Sequence, residues 1–200
     1  MRGIHFNNCH TDFSDSYSGG FEPGVISGMS GASGSGKSTL LKCIADLLPH
    51  KGDISFGELQ QNQTEPREWR KNVRYIHEHT FWWKPVVSDH FKKVDIKDLV
   101  SLGLDKSALS MECAKLSTGE NKRLGLLRGL QDLPKAILLD EPTSNLDSST
   151  RSLVIHLIQN YYEKNRPTIV IVSHDVEMLE EISNGGVFDV FNFKVEESNK

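Results

Sequence analysis

No apolar run in these 200 residues approaches the roughly 20 consecutive apolar residues that a membrane-spanning helix needs. The N-terminus lacks the basic, apolar and small-residue succession of a secretory signal. Cysteine is scarce: Cys9, Cys43 and Cys113 are scattered without pair spacing. That excludes a disulfide framework or a cysteine-built zinc site and suits a reducing cytosol. Basic excess is lacking too. A formal net charge of −4 leaves no electrostatic footprint for nucleic acid. There are no internal repeats and no low-complexity linkers. His77-Glu78-His79 and His90 lack the helical metal spacing, and alternate residues of a strand face opposite ways, so these histidines are expected to be ordinary loop residues. The chain opens with Met1 and ends in a polar tail, as a free-standing subunit would, and its length suits one α/β domain with a small appended subdomain.

Glycine is present in one informative cluster. Gly31-Ala32-Ser33-Gly34-Ser35-Gly36-Lys37-Ser38 lies between a short apolar segment, residues 24–30, and a stretch whose Leu40, Leu41, Ile44, Leu47 and Leu48 recur with helical period up to Pro49. A glycine-rich turn between a strand end and a helix start is the context a phosphate-binding loop requires. Its amides can converge on a β-phosphate at the positive end of the helix. Lys37 would bridge β- and γ-phosphates, the Ser38 hydroxyl would ligate Mg²⁺, and Thr39 could add a hydroxyl toward the α-phosphate.

Further along, Ala136-Ile137-Leu138-Leu139 is a continuous apolar run, as expected of a strand covered on both faces. It ends in Asp140-Glu141, and a carboxylate pair at the C-terminal edge of a parallel sheet points into the ligand crevice. Asp140 would hold Mg²⁺ through water, and Glu141 would act on the attacking water as general base. Just upstream, Ser117-Thr118-Gly119-Glu120 has the form of a capping box. It opens a helix with Leu126, Leu127 and Leu130 on one stripe.

With these three elements in this order, the chain resembles the ATP-binding subunits of ABC transporters, whose signature, Leu-Ser-Gly-Gly-Gln/Glu, precedes the acidic strand. Leu116-Ser117-Thr118-Gly119-Glu120 matches it with Thr118 in place of the first glycine. Ser144-Asn145-Leu146-Asp147 looks like the family's D-loop, and His174 after the apolar run 168–172 like its switch histidine. Glu78 stands where the Q-loop glutamine usually is. The resemblance runs from about Phe21 to Asp175.

It implies a phosphate-loop NTPase fold of class α/β: a RecA-like parallel core sheet with an antiparallel β part, plus a reduced α-helical subdomain. One domain would fill residues 1–200, with the ATP-binding core at about 1–84 and 131–200 and the helical subdomain at about 85–130. Residues 92–115 leave little room for that subdomain, and residues 95–104 are expected to form one of its helices. The resemblance also implies ATP and Mg²⁺ as ligands, with Ser38, Asp140 and Glu78 as metal ligands. His174 would contact the γ-phosphate and, with Glu141, hold the attacking water. Two domains would pair as homodimer or heterodimer, so that Ser117, Thr118, Gly119 and Glu120 contact the partner's ATP and Asp147 tunes the contact. A capped helix N-terminus is an anion site, which agrees with that picture.

The family stacks adenine on an aromatic ahead of the phosphate loop; Phe6 fits that spacing, with His5 as the alternate. Glu78 adds negative charge beside Asp140 and Glu141, and Thr118 adds a side chain where close approach is expected; both would slow hydrolysis without abolishing it. Phe81-Trp82-Trp83 falls where family members accept a helix of a separate transmembrane permease. At least one of Trp82 and Trp83 is expected to face that partner, and the others to pack beneath the subdomain. Location would then be cytoplasmic, peripheral at the cytoplasmic face of the membrane. The competing function is a soluble, non-transport ATPase of repair or translation. Repair members carry long insertions between phosphate loop and signature, for which residues 39–115 leave no space, and translation members carry two such domains in tandem. A phosphate-loop kinase of small metabolites would leave the signature unexplained.

Overall fold

The computed structural model describes residues 2–195; Met1 and the polar tail at 196–200 lie outside the described residues. Two sheets organise the chain. A five-stranded parallel sheet has the order β6 (Val73–Ile76), β7 (Ala136–Asp140), β8 (Thr168–Val172), β3 (Ile26–Ser30) and β9 (Val187–Asp189). Every residue of β7 and β8 is buried, which is why both are continuous apolar runs. A second sheet, antiparallel, has the order β2 (Tyr17–Phe21), β1 (Ile4–His10), β4 (Lys51–Phe56) and β5 (Leu59–Gln60).

Side-chain alternation divides the core between the two faces of the parallel sheet. Ile137, Leu139, Ile169 and Ile171 point to one face, packing with Leu99, Leu124, Val154 and Leu179. Those four come from α3 (Ile96–Ser101), α4 (Thr118–Leu130), α5 (Ser148–Asn165) and α6 (Val176–Ile182). Ala136, Leu138, Val170 and Val172 point to the other face, toward Leu40 and Ile44 of α1 (Lys37–Ile44), Trp69 of α2 (Pro66–Asn72) and the antiparallel sheet. Cys9 and Cys43, far apart in sequence, share this second cluster.

Two elements are shorter than the sequence pattern predicts. The first helix stops at Ile44 rather than at Leu48. Asp46 turns the chain at φ 57°, and Leu47 is half exposed instead of continuing a buried stripe. Its last carbonyls are taken from outside: Gln61 Nε2 donates to Cys43 O (2.9 Å) and Ile44 O (3.1 Å), and Trp69 Nε1 donates to Ile44 O (2.8 Å). These distant donors fix where the helix ends. In the second element, the helix expected over 95–104 is only α3, with Asp95 as N-cap accepting from Lys97 N at 2.9 Å. Leu102, Leu104 and Ala108 are still buried, carried on a turn and a short 3₁₀ segment at Lys106–Ser110. Residues 92–115 keep their apolar anchors with little α-helix.

Register explains why function collects at one edge. Asp140 pairs with Val172, and Met29 pairs with the same Val172 from the other side. The three central strands therefore end level. They deliver the loop after β3, the carboxylates after β7 and the residues after β8 to one crevice.

Candidate functional site

The loop after β3 is shaped by glycines at positive φ: Gly34 at 77° and Gly36 at 87°. Gly36 is the N-cap of α1, and a Cβ there would stand 2.5 Å from Tyr17 Oη, so both conformation and space demand glycine. Tyr17 Oη in turn donates to Ser35 O at 2.8 Å, tying β2 to the loop. No side chain caps α1, which leaves its first-turn amides for an anion. Lys37 is 6% exposed, and its Nζ donates to Gly31 O and Ala32 O, both at 2.8 Å, and to Ser35 Oγ at 3.4 Å. Burial pulls its pKa down, while Glu141, Asp140 and Asp189 pull it back. The ammonium therefore lies in the field of the carboxylates the sequence placed opposite it.

Asp140 is buried and its two oxygens are engaged separately. Ser38 Oγ donates to Oδ1 at 2.9 Å, and Tyr75 Oη donates to Oδ2 at 2.6 Å. A hydroxyl oxygen and a carboxylate oxygen at that separation form a hard-oxygen donor set that fits Mg²⁺. Glu141 sits at φ 49°, a sparsely populated backbone region for a non-glycine residue. Its carboxylate accepts from Ser173 Oγ at 3.2 Å and from His174 N at 3.0 Å, with His174 Nε2 3.7 Å away. Burial raises the Glu141 pKa, opposed by His174 and Ser173, with Asp140 adding to the rise. A raised pKa makes it the stronger base.

Lys37, Ser38, Asp140, Glu141 and His174 thus meet at one place. The other expected residues are arranged differently. Glu78 is not held by Asp140 or Glu141; its Oε1 accepts from Ser144 Oγ at 2.8 Å. Ser117 and Glu120 form both bonds of the capping box: Glu120 N donates to Ser117 Oγ at 3.3 Å and Ser117 N to Glu120 Oε2 at 2.9 Å. Ser117 and Thr118 are exposed. A Cβ on Gly119 would meet nothing closer than 3.7 Å among the described residues. Asp147 caps α5, accepting from Ser149 Oγ, from Thr150 N at 3.0 Å and from Thr150 Oγ1 at 2.7 Å, and these donors, Ser149 foremost, hold its pKa below the usual carboxylate range.

Phe6 does not serve as the stacking aromatic. It is 3% exposed, its ring packed on Phe21 and Phe193 at centroid distances of 5.9 and 5.5 Å. Strand alternation turns it inward, leaving no face for a base. Phe13, which the sequence reading did not single out, is fully exposed in the loop between β1 and β2, four residues before the Tyr17 that touches the phosphate loop. The signal was an aromatic in a polar Thr-Asp-Phe-Ser turn, where no core needs it. Tyr75, Tyr17 and Ser173 were missed as well, since contacts across strands leave no local mark.

In the aromatic triplet, Phe81 and Trp83 are 65% and 70% exposed. Trp82 is half-buried, donating from Nε1 to Asn121 Oδ1 at 2.6 Å, and Arg128 lies 4.6 Å from its ring and 4.8 Å from that of Trp83. His90 is buried and structural: its Nε2 accepts from the amides of Trp83 and Lys84, both at 3.0 Å.

A family model described as ABC transporter matches residues 15–144, more than half of the chain. The chain belongs to the ABC transporter family. It is 34% identical to the methionine import ATP-binding protein MetN of Protochlamydia amoebophila (strain UWE25), over 80% of this chain and 52% of that protein. It is 31% identical to methionine import ATP-binding protein MetN 2 of Oceanobacillus iheyensis, over 85% and 55%. With the probable iron export ATP-binding protein FetA of Escherichia coli (strain K12) it shares 32% identity over 74% and 71%. The chain spans about half the length of the methionine import relatives it matches. Among solved structures, a dimeric bacterial ABC transporter cassette superposes with TM-score 0.77 at 20% identity over 94% of both chains, which shows the fold.

Proposed function

We propose that this chain binds Mg-ATP at the crevice above β3, β7 and β8 and hydrolyses it as the ATP-binding subunit of a transporter whose membrane-spanning part is a separate polypeptide. The observation that carries the reading is the junction of Ser38 with Asp140 beside the Glu141 carboxylate. The loop and the first turn of α1 would cradle the phosphates. Lys37 would exchange its bonds to Gly31 O and Ala32 O for phosphate oxygens. Ser38 and Asp140 would hold Mg²⁺, with Glu78 an additional oxygen donor nearby; the ion would neutralise phosphate charge. Glu141, a base strengthened by burial, would take the proton of the attacking water, and His174 would orient that water from the exposed side. Phe13, rather than Phe6, is our choice for stacking on the base.

We further infer that residues 85–130 act as the reduced helical subdomain and that two chains close over nucleotide. Ser117, Thr118, Gly119 and Glu120 would then face the partner's ATP, and Asp147, by fixing the start of α5, would shape the contact. Phe81, Trp82 and Trp83 offer the surface for the membrane subunit, which would place the chain at the cytoplasmic face. The relatives' printed names span import and export and different cargoes, so cargo choice is assigned to the membrane subunit. The test is phosphate release from Mg-ATP. Wild type should turn over, Lys37→Ala should not, and Glu141→Gln should lose about 10²–10⁴-fold in kcat. In the same assay Phe13→Ala should raise KM about two- to tenfold with kcat kept. Turnover of wild type equal to that of Lys37→Ala refutes the reading.

A further inference from the structure

Glu78 brings a third carboxylate near Asp140 and Glu141, and the structure supplies a cation that none of the motifs contains. Lys122 lies on the second turn of α4 and is half-buried. Its Nζ donates to Ser144 O at 2.6 Å and also to Ser144 Oγ, and Ser144 Oγ in turn donates to Glu78 Oε1 at 2.8 Å. Ser144 closes the turn that begins at the base, its amide donating to Glu141 O at 3.3 Å. Burial lowers the Lys122 pKa, and the charges of Glu78 and Glu141 draw it back up. The ammonium thus stands in the field of both carboxylates.

We propose that Lys122 is a positioning residue for hydrolysis: through Ser144 it pins the Glu141–Ser144 turn to the signature helix and to Glu78. This rests on Glu141 being the base. Two consequences follow from the geometry. The turn that aims Glu141, itself at a strained φ, is held at its far end by a charge-assisted bond. Any shift of α4, whose first residues are the signature, is passed directly to that turn.

The experiment compares wild type, Lys122→Gln, Ser144→Ala and the Lys122→Gln/Ser144→Ala double variant in Mg-ATP turnover, with thermal unfolding as a fold control. Each single change should lower kcat about tenfold while KM for ATP stays within about threefold, and the double variant should be no slower than the slower single, because both changes break one relay. Ser144→Ala serves if Lys122→Gln fails to fold. Losses that multiply in the double variant, or singles that turn over like wild type, overturn the proposal while wild type still turns over. Wild-type turnover no higher than that of Lys37→Ala overturns the hydrolysis reading, and this role with it.

Discussion

Glu141 lies at φ 49° with most of its side chain out of water, and the donors around it do not fully repay the loss of hydration. Its pKa is therefore raised in the folded chain. The sign of the linkage follows: a carboxyl that binds its proton more tightly when folded contributes stability at low pH and loses it as pH rises through the folded value. Replacing the group by a neutral isostere should remove that loss. Glu141→Gln is expected to unfold about 2–4 °C higher than wild type at pH 7–8, where the wild-type carboxylate is charged. The difference should shrink as pH falls toward 4. Thermal melts across that range check it, and a variant that melts lower than wild type at neutral pH would show that the carboxylate is stabilising in place. Under the proposed role of Glu141 as base, activity and stability trade at this residue.

Among the elements, β7, β8 and the phosphate-loop turn were legible because their causes are local. Runs covered on both faces must be apolar throughout, and a turn at φ near +80° must be glycine. The capping box was legible for the same reason, since both of its bonds span three residues. The end of α1 was not. Apolar period alone carries the helix on to Leu48, but Gln61 and Trp69, far along the chain, take its terminal carbonyls at Cys43 and Ile44. Phe6 failed similarly: the family resemblance suggested an aromatic near the nucleotide, and alternation within β1 turned Phe6 into the core. The contrast at α1 is measurable. Trp69→Phe should cost about 2–3 kcal/mol, from a lost buried hydrogen bond and the smaller ring. Leu47→Ala, at a site which the period would bury and the structure exposes, should change stability by no more than about 0.5 kcal/mol. Denaturant unfolding of both variants decides it, and equal losses would mean the helix continues as the period suggests.

At the scale of the whole molecule, two surfaces are left without a partner among the described residues. One is the aromatic ridge beside α4. Trp83 is exposed while Trp82 is anchored through Asn121 and Arg128, so the two should separate cleanly on mutation. Trp83→Ala should leave the melting temperature unchanged and weaken assembly with the proposed membrane subunit. Trp82→Ala should lower the melting temperature first. Co-purification and melts on the same samples distinguish them, and intact assembly with both removed would exclude the ridge as the contact.

The second surface is the start of α4. Ser117 caps the amide of Glu120, whereas the amides of Thr118 and Gly119 have no partner among the described residues. They lie at the positive end of a 13-residue helix, an arrangement that attracts an anion. The proposed phosphate site of this chain is on another loop, so under that reading the anion for this surface would be one bound to a second molecule. In a two-fold pair each start of α4 would meet the other's nucleotide, which makes two equal contacts from one surface. Slowing hydrolysis should therefore trap the pair: Glu141→Gln with saturating Mg-ATP should elute as a dimer in gel filtration and as a monomer without nucleotide. Adding Gly119→Asp places a carboxylate at the anion site and should return the protein to monomer with ATP binding at Lys37 retained. A Glu141→Gln protein that stays monomeric at tens of micromolar with bound ATP would sink the shared-site architecture. A Gly119→Asp variant that still pairs would move the contact elsewhere on the molecule.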